Sequence, residues 1–139
     1  MKTTALISLR SLLVLGTLLL APPSTAQQDP WAESYRLEYI GKYAEAQALI
    51  EPLAARQPIN EFAIMRSAWL LHLQGKYAEA EALYRRFVDA KPREQALVLL
   101  AQEGIGLCAE ARGDLTAAQA AFAAQAAGER LDRGKAACR

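Results

Sequence analysis

One six-residue phrase occurs twice in this chain. Gly41-Lys42-Tyr43-Ala44-Glu45-Ala46 and Gly75-Lys76-Tyr77-Ala78-Glu79-Ala80 are identical, and 75 − 41 gives a spacing of 34. A third, degraded copy reads Gly113-Asp114-Leu115-Thr116-Ala117-Ala118. Pro58 and Pro92 keep the same beat, since 92 − 58 is again 34. A fixed period of this size marks a supersecondary unit of two helices and a turn. Each such unit buries only part of its apolar face, so neighbours must stack, and about three are needed for stability. The repeat restricts the chain to an all-α stack of antiparallel helical hairpins.

Local signals place the helices. Asp29-Pro30 reads as a start, with Asp accepting from free N–H groups and Pro standing where no N–H is needed. The first helix is expected over 30–40, stopped by Gly41. The second, over 43–56, carries Ala46, Leu49, Ile50 and Leu53 at helical spacing, and Pro52 inside it predicts a kink. Asn60 caps a helix over 61–74, and a helix over 77–90 sets Ala80, Leu83, Tyr84 and Phe87 on one face. The next helix, 93–112, is about one turn longer, because 113 − 75 is 38. It is followed by a helix over 115–127. Gly128 predicts a break and then a short terminal helix, 129–138, over the open end. The units are therefore 27–60, 61–94 and 95–128.

Residues 1–26 stand outside that scheme. Lys2 and Arg10 precede an apolar run from Ser11 to Ala21, Pro22-Pro23 breaks it, and Ser24-Thr25-Ala26 supplies small residues for cleavage. This is the pattern of a secretory signal peptide, and the run of 11 residues is short of the roughly 20 that a spanning helix needs. Its removal takes two positive charges, leaving 16 − 2 = 14 Lys+Arg against 15 Asp+Glu. A net charge of −1 without like-charge runs argues against nucleic acid or an anionic membrane as partner. An exported, periplasmic location is expected, with no membrane insertion after cleavage.

The unit resembles the tetratricopeptide repeat (TPR). The resemblance rests on the Gly-x-Tyr-x-Glu-Ala phrases, on Ile50, Tyr84 and Phe122 four residues after the second-helix alanines, on the closing Pro58 and Pro92, and on Ile105-Gly106. Ala68 takes the small-residue position of the second unit, whereas the first unit has Ser34 there, and Glu33 in place of the large residue. The third unit departs by its four-residue insertion and its missing proline. The resemblance implies an α-solenoid whose first helices line a concave wall that binds a peptide or partner helix.

On that wall the periodicity places Trp31, Tyr35, Glu38 and Tyr39 from the first unit, Phe62, Met65, Trp69 and His72 from the second, and Glu103, Leu107 and Glu110 from the third. Leu37/Ile40 and Ile64/Ala68/Leu71 form the opposite, core-facing stripes. Nine of the ten aromatic residues lie in the first two units, the composition of a partner-binding surface. The plain alternative is that Trp31, Phe62 and Trp69 only pack between units.

No constellation for chemistry stands out. One histidine and two cysteines make no zinc pattern, and no cofactor is implied. On the repeat alignment Cys108 lies two residues earlier than His72, so the two side chains are expected to face different ways. Cys108 and Cys138 are expected to pair in an oxidising compartment. A terminal helix climbing back about 15 Å would bring Cys138 level with Cys108, and a frayed tail with free thiols is the alternative. The expectation for the whole is a non-enzymatic adaptor or scaffold in envelope assembly, the alternative being a self-associating structural protein.

Overall fold

The computed structural model describes residues 29–137, with side chains as far as Arg133. These residues form six helices and no strand: α1 (Pro30–Tyr39), α2 (Tyr43–Ala54), α3 (Glu61–Leu73), α4 (Tyr77–Asp89), α5 (Gln95–Ala111) and α6 (Leu115–Ala137). Each helix packs on the next in the chain, and α3 also touches α5. None of the helices is long and apolar enough to cross a membrane. The expected signal peptide and Cys138 lie outside the described residues.

The helix starts follow their capping chemistry. The Asp29 carboxylate accepts from the Trp31 N–H at 3.1 Å, the Asn60 amide oxygen from Ala63 at 3.0 Å, and the Asp114 carboxylate from Ala117 at 3.0 Å. The repeated glycines occupy equivalent bends. Gly41, Gly75 and Gly113 have φ of 77°, 75° and 80°, a region that a side chain disfavours. After each, the next N–H returns to a carbonyl five residues back: Lys42 to Leu37, Lys76 to Leu71 and Asp114 to Ala109. This satisfies carbonyls that the helix end leaves free.

The small residues after these bends, Ala46, Ala80 and Ala118, are buried, and Ile50, Tyr84 and Phe87 fill the space beside them. Leu37, Ile64, Ala68 and Leu71 join the same core. Ile40 does not; it caps α1 outside the helix and stands exposed. α2 runs through Pro52, whose ring faces solvent and displaces no packed neighbour.

The expected terminal helix is absent as a separate element. Gly128 lies within α6, and a Cβ built there would meet the Leu99 side chain at 2.6 Å. The glycine serves close packing of α6 on α5 instead of a turn. One turn-pair earlier, Gly106 receives the edge of the Phe122 ring in the same way. These two meetings set an antiparallel register in which residue numbers sum to 106 + 122 = 228 or 99 + 128 = 227. α6 therefore passes the start of α5 and continues away from it.

Candidate functional site

α1, α3 and α5 present their side chains to one wall. Trp31 and Tyr35 of α1 meet Phe62, Met65 and Trp69 of α3 around a pocket of about 510 Å³. Met65, Trp69 and His72 then meet Glu103 and Leu107 of α5 around a second, of about 330 Å³. Met65 and Trp69 belong to both pockets and form the ridge between them. Phe62 is 63% exposed, Tyr35 57% and Trp69 38%, so the wall offers aromatic surface to solvent. Of the residues placed here by periodicity, Tyr39 and Glu110 stand apart. Tyr39 is 93% exposed as the last residue of α1, Glu110 is exposed near the end of α5, and neither lines a pocket.

The wall is held by a buried cation that periodicity did not single out. Arg66 is 8% exposed and spends all three guanidinium nitrogens. Its Nε and Nη2 donate to the Ser34 hydroxyl at 3.2 and 3.1 Å, and Nη1 donates to Glu38. The guanidinium carbon lies 3.9 Å from the centre of the Tyr35 ring. Ser34, which stands where the second unit has Ala68, is therefore an acceptor for Arg66 rather than a plain spacer. The signal was present in the sequence: Arg66 is the one charge in the stretch 62–71. A buried charge needs partners, and its partners lie 28 and 32 positions away.

Glu38 uses its second oxygen on Trp69, whose Nε1 donates to it at 2.8 Å. That bond fixes the indole against α1. The other side of the indole stacks on His72, with centroids 5.6 Å apart and planes 8° from parallel. His72 in turn meets Tyr77 edge-on at 5.2 Å. A chain of contacts thus runs from Glu38 through Trp69 and His72 to Tyr77.

His72 and Cys108 do not face apart. Nδ1 lies 3.4 Å from Sγ. Their different phases on equivalent helices are what bring them together, because α5 lies beside α3. A side chain directed forward from α3 meets one directed inward from α5. Burial, reinforced by the Glu81 carboxylate, pushes the Cys108 thiol up to about 11. The thiol is protonated at neutral pH, and a protonated thiol can donate to an unprotonated Nδ1. It is not an activated nucleophile, which requires the thiolate.

Cys108 is a fully buried free thiol. The geometry invoked for a bridge to Cys138 required the chain to turn back at Gly128, and it does not. By the α5–α6 register, Cys108 is level with residue 228 − 108 = 120. Ala137 is 17 residues further along the same helix, about 25 Å away, and Cys138 itself lies outside the described residues. Among the described residues no group of three or more His, Cys, Asp or Glu side chains is placed to hold a metal ion.

No protein-family model matches this sequence, and comparison with curated proteins and with solved structures found no match.

Proposed function

We propose that this chain is an exported protein-interaction module, a three-unit TPR-like solenoid that captures a peptide or helix of another protein on the α1–α3–α5 wall. The observation that carries this reading is the pair of adjoining pockets with exposed aromatic walls. Exposed aromatic surface costs solubility and is retained where a partner covers it. The equivalent bends at Gly41, Gly75 and Gly113 support the three-unit reading, as does the burial of Ala46, Ala80 and Ala118. The leader-like residues 1–26 support export to the periplasm and a scaffolding role in envelope assembly. The role assigns no catalytic residue and no cofactor.

Phe62 gives the cleanest test. It lines the first pocket, is 63% exposed and makes no hydrogen bond, so Phe62→Ala should leave the fold intact. Affinity capture from a periplasmic extract is expected to recover a partner with wild type and to lose it with Phe62→Ala, at equal helical content by circular dichroism. Equal recovery by both proteins would remove the groove as the binding surface. Light scattering addresses the alternative, since a stable homo-oligomer that Phe62→Ala dissociates would make the wall a self-association face.

A further inference from the structure

We infer that the α3/α5 pocket takes a lysine or arginine side chain of the partner, beside an apolar residue seated in the α1/α3 pocket. The inference rests on the proposed interaction role and adds the chemistry of what is bound. Its basis is a difference in charge satisfaction between the two carboxylates of the wall. Glu38 is neutralised by Arg66 and also accepts from the Trp69 indole. Glu103 lines the second pocket, is half-buried, and has no ion-pair or hydrogen-bond partner among the described residues. Arg66, the one Lys or Arg on the wall among the described residues, is bound to Ser34 and Glu38 and is not free to answer it.

The surroundings of Glu103 suit a cation with an apolar stem. Leu100 and Leu107 stand one turn to either side of it on α5. The stacked Trp69 and His72 rings form the facing wall. An alkyl stem would lie along the leucines, its charged head would pair with Glu103, and a guanidinium plane would stack on the aromatic rings. Tyr84 closes the floor against Gly104, where a Cβ would meet the ring at 2.5 Å. An anionic side chain would meet Glu103 with no free cation on the wall to offset the repulsion.

The two pockets adjoin. Met65 and Trp69 line both, so the apolar and the basic residue of the partner would sit on either side of this ridge.

The test uses the exported, purified protein and a displayed library of random 12-residue peptides. Selection on wild type is counter-selected on Phe62→Ala. The expected enrichment pairs a bulky apolar residue with Lys or Arg. In fluorescence anisotropy the enriched peptide should bind Glu103→Gln about tenfold more weakly than wild type, in keeping with loss of one charged hydrogen bond. Glu103→Lys should prefer the same peptide with its basic residue changed to Glu. Enrichment of apolar residues without a basic one, or equal binding by Glu103→Gln, overturns the cationic pocket while leaving the groove in place. No enrichment over Phe62→Ala removes the groove and the inference together. A wild-type dimer that Phe62→Ala dissociates, and that excludes every peptide, assigns the wall to a second copy and overturns both.

Discussion

Arg66 of α3 donates two hydrogen bonds to the Ser34 hydroxyl of α1, across 32 positions of sequence. A buried guanidinium is costly to desolvate and is tolerated when every N–H direction is met. Ser34→Ala removes one acceptor and is expected to destabilise by about 1–2 kcal/mol. Glu38→Ala leaves the guanidinium without its carboxylate and is expected to cost about 3 kcal/mol. Urea unfolding of both single variants, with Arg66→Leu completing the cycle, measures the coupling. Wild-type midpoints for Ser34→Ala and Glu38→Ala would show that the network does not hold α1 to α3.

Two glycines should respond to alanine for different reasons. Gly75 has φ of 75° and open space around it, so Gly75→Ala strains only the backbone, by about 1–2 kcal/mol. Gly104 is helical, but a Cβ there would meet the Tyr84 ring at 2.5 Å. Gly104→Ala must part α4 from α5 and is expected to cost up to about 3 kcal/mol, with loss of the α3/α5 pocket. Thermal melts compare the two. Equal stability of wild type and Gly104→Ala would mean that Tyr84 can swing aside.

The Cys108 thiol gives a pH signature. Its pKa is raised to about 11 in the fold from an ordinary 9.0, so between those values the folded state holds a proton that the unfolded state releases. Stability should therefore be level below pH 9 and fall toward pH 11. Tyr84, also raised by burial, acts in the same direction. Cys108→Ser should show a shallower alkaline decline. In a Cys138→Ser background, Ellman's reagent should modify Cys108 about a hundredfold more slowly in the folded state, from the thiolate fraction alone. Rapid modification of the folded protein would contradict the burial of Cys108.

The end of α6 should be dispensable for stability. Beyond Gly128, which lies level with Leu99, only the first turn of α5 remains alongside the helix, and Leu131 is exposed. Ending the chain at Glu129 is expected to change unfolding free energy by less than about 1 kcal/mol. Phe122→Ala, which removes a ring seated on Gly106, is expected to cost about 3 kcal/mol. A large loss on truncation would assign the tail a packing role.

Much of the helical order was readable because its signals are local. A glycine at positive φ, an Asp or Asn at a helix start and an alanine five residues after each bend each act within a turn or two of chain. Gly128 shows where that reading ends. In sequence it looks like Gly41, Gly75 and Gly113, yet it lies inside α6 because Leu99 needs the room. The expected break, and with it the approach of Cys138 to Cys108, assumed that a glycine between helical stretches is a turn.

The amino-acid order alone determined six helical segments' worth of periodicity, most of their starts and stops, and the stripe of Trp31, Tyr35, Phe62, Met65 and Trp69. Packing alone decided that Arg66 is the buried tie between α1 and α3, that His72 meets Cys108, and that Glu103 has no cation beside it among the described residues. The division has a physical cause. Caps, turns and periodicity are short-range properties of the backbone. Satisfaction of a charge depends on which side chains arrive from 28 or more residues away, and only the assembled fold brings them within reach.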